Sequence, residues 1–326
     1  MEKFLSSTTP ESIRIAASSL MRGNLVAFPT ETVYGLGADA VNKGAVARIY
    51  QTKARPSNHP LIVHIATSNN LVKWARDIPD NAFKLADTFW PGPLTLILLK
   101  TNIAKNFITG GQEKIGIRIP SHPVALALLK EFEKQGGLGV AAPSANRFGA
   151  VSPTTAEDVH AELGEYLSHS DVILDGGKCD IGIESTIVDF TQNKPMILRP
   201  GKISKEIINE ILGFDVDISS SKNETKTSGL LDSHYSPKAR VFLSGFPKPG
   251  DGYIALAKNQ TPAGVIRLSS PNNNDEYAQF LYTAFRLADS KKINNIFVIP
   301  AQGGGIADAI NDRLRKAAFI KDDLKS

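Results

Sequence analysis

The side chains best suited to chemistry in this chain are cations and hydroxyls set beside prolines and glycines. In KARPSNHPLIVHI (53–65), Lys53 and Arg55 precede a proline-punctuated turn, which would hold two cations on a restrained loop able to clamp phosphates. A solvated basic loop is the competing reading, because a Lys-x-Arg pair is a short motif. The loop runs into LIVHI, where His64 lies on the strand face opposite Leu61, Val63 and Ile65. A lone strand histidine is more often a hydrogen-bonded core residue than a ligand. In IGIRI (115–119) the isoleucines share one face, and Gly116 and Arg118 take the other. A mid-strand guanidinium needs an anion, which a protein carboxylate or a ligand carboxylate or phosphate can supply.

APSANRFGAVSPTT (142–155) groups Ser144, Asn146, Ser152 and Thr154 around Pro143, Gly149 and Pro153, as a loop of small donors near a polar ligand would, or as plain turn chemistry would. Ser185 follows a glycine-containing approach in GIESTIVDF, and Arg199 ends a strand in ILRPG. Together these residues suit a site for an anionic, zwitterionic or nucleotide ligand. The stretch FPTETVYGLGADA (28–40) reads as a polar, hinge-rich segment delivered at the carboxyl end of the strand LVAF, where open α/β sheets place ligands. No GxxxxGK[ST], no GxGxxG after the first strand, no HExxH and no GxSxG occurs. Three glycines before the helix in AQGGGIADAINDRLRKAA could bind phosphate or serve packing.

The elements that must position these residues follow from periodicity. Strands are predicted at 25–28, 61–65, 94–99, 115–119, 139–142, 171–174, 185–190 and 196–198, with helices near 10–23, 68–76, 79–89, 122–133 and 154–163. This is a mixed α/β domain. The 326 residues exceed one typical domain of ~150 residues. The run from 213 to 238 loses apolar periodicity, which divides the chain into 1–212, a linker or lid at 213–238, and a smaller α/β module at 239–326. A formal charge of +4 is compatible with anionic substrates and too mild to demand nucleic acid. One cysteine, Cys179, excludes an internal disulfide and a CxxC metal site. MEKFLSSTTPES lacks signal-peptide order and no apolar run reaches the ~18 residues of a membrane span, so a cytoplasmic protein is expected.

The ordered set PTETVYGLGADA, KARPSNHPLIVHI, FWPGPLT, IGIRIPSHP, APSANRFGAVSPT, IESTIVD and ILRPG resembles the Sua5/YrdC/YciO family over about residues 10–212, and HYSP with the second module extends the likeness to the two-domain Sua5 type. The resemblance implies a twisted mixed open sheet around a concave basic cavity, followed by a Rossmann-like α/β domain. It implies L-threonylcarbamoyladenylate synthesis from L-threonine, bicarbonate or CO2, and ATP, feeding the tRNA modification t6A at position 37. Carried onto matching positions, Thr32, His64, Arg118, Ala142 through its backbone, and Ser185 would bind threonine. Lys53, Arg55, His59, Lys114, Ser144, Asn146, Ser152, Arg199 and Tyr235 would bind ATP, with Lys53, Arg55 and Arg118 catalytic. Mg²⁺ would accompany ATP, no tightly bound organic cofactor is implied, the t6A transfer machinery would act downstream, and tRNA contact is open. The family commonly reads KGRP and NPL where this chain has Ala54 and His59, and the linker TSGLLDSHYSP lacks the usual glycine-methionine-lysine run. Two other readings compete: an RNA-binding protein with a basic concavity for duplex RNA, and a YciO-like paralogue without this activity.

Overall fold

The computed structural model describes residues 4–6, 9–219 and 235–319. The strands are β1 (Phe4–Ser6), β2 (Val26–Phe28), β3 (Gly35–Asp39), β4 (Ile62–His64), β5 (Ala75–Arg76), β6 (Leu94–Lys100), β7 (Lys114–Arg118), β8 (Val140–Ala141), β9 (Val172–Asp175), β10 (Thr186–Asp189), β11 (Met196–Arg199), β12 (Asp217–Ile218), β13 (Arg240–Phe242), β14 (Gly252–Ile254), β15 (Ile266–Ser269) and β16 (Asn295–Val298). The helices are α1 (Pro10–Met21), α2 (Lys43–Lys53), α3 (Leu71–Trp74), α4 (Asp80–Phe89), α5 (Asn106–Thr109), α6 (Pro123–Lys134), α7 (Ala156–Leu163), α8 (Lys205–Leu212), α9 (Asn274–Ser290) and α10 (Ile306–Ala318).

Local chemistry explains many of the boundaries. Thr9 caps α1 by accepting from the Ser12 N–H at 3.2 Å, with Pro10 at the first helical position where its missing N–H costs nothing. Asn42 caps α2 through Ala45 N–H at 3.1 Å, and Gly213 ends α8 in the left-handed conformation. Residues 35–39, read from sequence as hinge, form a strand instead. Gly37 belongs there because a Cβ would stand 2.7 Å from Val140 Cγ1 and 2.8 Å from Phe28 Cε1, so the neighbouring strands close over it.

Among the described residues the first sheet runs β1-β9-β2-β3-β8-β4-β7-β6-β10-β11-β12, with β5 on β6. It is mixed: β4 and β7 are parallel, β6 runs against β7, β10 is parallel to β6, and β11 turns back again. One face buries Leu36, Ala38, Leu61, Val63, Leu96, Leu98, Ile115 and Ile117 in the main core. The other face is covered by α1 and α6 over β2, β3, β8 and β9, where Val26, Phe28, Val140 and Val172 pack. Over β4, β7, β6, β10 and β11 that face carries a small apolar patch of Ile62, Ile97, Ile187, Leu198 and Met196. This part of the sheet floors the cleft.

The second domain has four parallel strands in the order β13-β16-β14-β15, packed with α9 and α10. Such a sheet fits the Rossmann-like expectation. Its core continues into the first domain through Val33, Val151 and Ile183. β12, in residues read as linker, pairs with β11 and so adds a strand to the first sheet. Residues 220–234, which include most of the expected lid, lie outside the described residues.

Candidate active site

A cleft open to solvent, with about 540 Å³ of space between its walls and at its mouth, gathers Thr32, Arg55, His64, Arg118, Ala142, Ser144, Ser185, Arg199 and Tyr235. Strand register explains part of this convergence. His64 and Arg118 are direct partners on parallel strands, so both leave the same face at the same edge. β10 runs opposite to β7, which brings Ser185, just before the amino end of β10, to the carboxyl end of β7. Arg199 joins them because it pairs with Ile187 in the antiparallel register of β10 and β11. The parallel-sheet rule that ligands sit at carboxyl ends therefore holds for only half of this site.

The PTET loop wraps this edge. Thr30 Oγ1 accepts from the N–H groups of Thr32 and Val33 at 3.2 Å each and donates to the Val33 carbonyl at 2.7 Å. That turn aims Thr32, whose Oγ1 accepts from Arg118 Nη1 at 2.9 Å. Arg118 Nη2 donates to Glu31 at 2.6 Å, and both side chains of this ion pair are buried. The anion demanded by the mid-strand guanidinium is thus a protein carboxylate, and Glu31 also accepts from the Ser121 N–H at 3.1 Å. Glu31 and Thr30 were not singled out from the sequence. The available signal was their place beside Thr32, opposite an arginine in need of a partner.

His64 is buried, with Phe28 edge-on at 6.0 Å, and its Nδ1 has no hydrogen-bond partner among the described residues. Burial first, and then the Arg118 guanidinium, hold its pKa down at about 3 against the nearby backbone of Val140 and Ile62. The imidazole is neutral at pH 7, with an unsatisfied polar atom in the cleft wall. Ser185 Oγ lies 2.8 Å from Thr95 Oγ1 and accepts from Arg199 Nη2 at 3.1 Å. The Ala142 N–H is taken by the Ile62 carbonyl at 2.9 Å, so its carbonyl oxygen is what its backbone could offer a ligand. Gly116 keeps the floor flat, since a Cβ there would meet Ile97 Cδ1 at 3.1 Å and Ile62 Cγ1 at 3.2 Å.

Arg55 enters from the other side, donating to the Pro60 carbonyl at 3.1 Å, with its guanidinium 5.4 Å from the Phe148 ring centroid. Burial lowers its pKa to about 10. Tyr235 closes one wall in the left-handed conformation, φ 60°, its ring stacked at 5.8 Å on Tyr282 of α9. Burial and the Glu184 carboxylate push its phenol up to about 12. Glu184, also unmarked by the sequence, lines the same wall.

Five residues expected to meet ATP do not line the cleft. Lys53 is 2% exposed and spends its ammonium on the carbonyls of Ser144, at 2.6 Å, and of Asn146; burial, and then Arg55, push its pKa well below a lysine's ordinary value. It anchors the 144–146 loop from beneath. Asn146 Nδ2 holds the carbonyls of Arg147 and Ala150, both at 2.8 Å. Ser152 donates to Glu184 at 2.6 Å. His59 packs edge-on against Phe148 at 5.3 Å. Lys114 shares the face of Arg118 but starts β7, four residues or ~13 Å away, where it pairs with Asp189 at 3.1 Å. The glycines before α10 lie in the second domain and none of them lines the cleft. Among the described residues no helix is long and apolar enough to cross a membrane, and no group of three His, Cys, Asp or Glu could hold a metal ion.

Residues 18–201 match the family profile described as Telomere recombination (Sua5/YciO/YrdC), and residues 203–319 match the one described as Threonylcarbamoyl-AMP synthase, C-terminal domain. The chain is 39% identical over 325 residues to a threonylcarbamoyl-AMP synthase of Pyrococcus abyssi, covering 94% of each chain. It is 38% identical over 333 residues to that of Bacillus subtilis, covering 96% of this chain and 94% of the relative. The crystal structure of P. abyssi Sua5 complexed with L-threonine is similar at a TM-score of 0.86 and 36% identity, over 95% of each chain. The fold of the first domain recurs in E. coli YciO, at a TM-score of 0.52 and 24% identity over 61% of this chain and 95% of that one. The sheet order, the cleft and both matched domains lead to one assignment: the chain belongs to the Sua5/YciO/YrdC family, in its two-domain Sua5 form.

Proposed function

We propose that this chain is an L-threonylcarbamoyladenylate synthase, a nucleotidyltransferase that converts L-threonine, bicarbonate or CO2, and ATP into threonylcarbamoyl-AMP and pyrophosphate, the first step of t6A formation at position 37 of tRNA. One observation carries the reading: a single cleft holds a small polar recess of Thr32, His64, Arg118 and Ser185 beside a cationic wall of Arg55 and Arg199. The relatives' names point the same way.

The chemistry suits these groups. The threonine nitrogen adds to the CO2 carbon and loses a proton, giving a carbamate. A carbamate oxygen then attacks the α-phosphorus of ATP, the bond from that phosphorus to the bridging oxygen breaks, and pyrophosphate leaves with the electron pair. Such a transfer needs alignment and charge neutralisation rather than a covalent nucleophile. Arg118, Thr32 and Ser185 orient threonine, its carboxylate sharing the Arg118 fork with Glu31. Neutral His64 accepts a proton donor of the amino acid at its open Nδ1. Arg55, Ser144 and Arg199 face the phosphates, and Tyr235 closes the nucleotide side. Mg²⁺ enters as the ATP complex, as part of the substrate. The product passes to the t6A transfer machinery, and the cytoplasm, which holds both ATP and tRNA, is the compartment of action.

The RNA-binding reading loses ground because Arg55, Arg118 and Arg199 are only 6%, 5% and 3% exposed, beyond the reach of a duplex's phosphates. The test is pyrophosphate release with threonine, serine substituted for threonine, and bicarbonate omitted in turn. Release that depends on threonine and bicarbonate together is expected. Release indifferent to either one overturns the proposal.

A further inference from the structure

Glu184 stands on the cleft wall one residue before Ser185, and its carboxylate is held largely by the second domain. Oε1 accepts from Ser152 Oγ at 2.6 Å, whereas Oε2 accepts from Tyr282 OH at 2.9 Å and Arg313 Nε at 3.0 Å. Arg313, on α10, is fully buried and 129 residues away in sequence. Its Nη1 donates to the Pro200 carbonyl at 2.8 Å and pairs with Asp312 at 2.9 Å, and its Nη2 reaches the Glu184 carbonyl at 3.3 Å. The guanidinium also lies 5.3 Å from the Tyr235 ring centroid. One side chain of the second domain therefore grips Glu184, the residue after Arg199, and the ring that closes the cleft.

The electrostatics give this grip a purpose. A bare carboxylate in the wall of a site for a polyanion would repel it, and a carboxylate near Arg199 would compete for that guanidinium. Burial alone would raise the pKa of Glu184, but Arg313, Arg199 and the Ser152 hydroxyl outweigh it and hold the pKa at about 2, so the charge is present at pH 7 and must be answered. Arg313 answers it from behind. Arg199 stays directed at Ser185, with its Nε 3.0 Å from the Ser185 carbonyl and its Nη2 3.1 Å from the hydroxyl.

We propose that Arg313 is a positioning residue for the nucleotide: by neutralising Glu184 and clamping Pro200 and Tyr235, the second domain sets the phosphate-facing wall of a cleft whose floor belongs to the first. The inference rests on the proposed function for the identity of the anion.

The test uses the full chain with Arg313→Met, Arg313→Lys and the double variant Arg313→Met/Glu184→Gln. Mg·ATP binding is measured by calorimetry, and KM for each substrate comes from pyrophosphate release. Arg313→Met is expected to raise the ATP Kd and KM roughly tenfold or more and to leave the threonine KM within about twofold. The double variant recovers most of the ATP loss, because the unanswered carboxylate goes with its partner. Arg313→Lys, which keeps the charge but not the fork, falls between and decides the matter if Arg313→Met does not fold. Equal losses for both substrates, or a double variant no better than Arg313→Met, overturn the inference. A wild-type chain that binds Mg·ATP but shows no threonine-dependent turnover would sink the functional reading, with the calorimetry still deciding the role of Arg313.

Discussion

Replacing His64 by Gln should remove a defined part of the protein's acid sensitivity. The folded imidazole has a pKa of about 3 against an ordinary value of 6.5, with burial as the main cause. Between those values the unfolded chain binds a proton that the folded chain refuses, so unfolding free energy falls as pH falls, starting at the unfolded pKa. At 1.36 kcal/mol per pKa unit, the two units between pH 6.5 and 4.5 correspond to about 2.7 kcal/mol. That window lies above the range where Glu184, with its lowered pKa, begins to lose its contribution. Denaturant unfolding of wild type and His64→Gln across pH 7.5 to 4.5, monitored by a first-domain probe such as Trp74 or Trp90 fluorescence, gives the difference curve. The two curves should converge toward acid by roughly 2–3 kcal/mol, and the His64 ring resonance in wild type should not titrate above pH 5. Parallel curves, or a ring that titrates near its ordinary value, would mean that burial does not hold His64 neutral.

Arg118→Lys keeps a cation but loses the planar fork that spans Glu31 and Thr32, so the threonine KM should rise about tenfold or more while the ATP KM changes little; steady-state pyrophosphate release checks this. Lys53→Met removes both hydrogen bonds to the 144–146 carbonyls without touching the cleft, and calorimetry should show Mg·ATP affinity reduced several-fold, roughly 1 kcal/mol, with threonine affinity retained. Gly37→Ala places a methyl 2.7 Å from Val140 Cγ1 and should cost about 1–3 kcal/mol in denaturant unfolding, with little change in KM for the molecules that remain folded.

Features that depend on neighbouring residues could be read from the chain alone. Alternation in IGIRI put Arg118 and Gly116 on one face, and alternation in LIVHI put His64 opposite Val63, because a strand's two faces follow from adjacent residues. The same rule puts Lys114 on the face of Arg118 and says nothing about which end of the strand meets the ligand; Lys114 begins β7 and so lies at the far edge, beside Asp189. Glycine reads as a hinge in isolation, yet Gly37 serves close strand approach, which depends on Val140 about a hundred positions on. Helix α2 is absent from the elements predicted above, although Asn42 and the spacing of Ala45, Val46, Ile49 and Tyr50 announce it. Lys53 and Ser152 are of types right for phosphate, and in the structure their donors go to the carbonyls of Ser144 and Asn146 and to Glu184. Whether a donor faces solvent, ligand or a backbone carbonyl is a tertiary fact. The Glu184–Arg313 pair lies furthest from legibility, since no local pattern joins residues 129 positions apart.

Whether one cleft receives both substrates is decided by a crystal structure of the full chain with L-threonine and a non-hydrolysable ATP analogue. The amino acid is expected within hydrogen-bonding distance of Arg118, Thr32 and Ser185, its nitrogen toward the α-phosphate, with the phosphates against Arg55 and Arg199. Either molecule bound elsewhere, with Arg118 held only by Glu31, Thr32 and Gly92 as it is here and Arg55 and Arg199 touching no phosphate, would overturn the shared cleft.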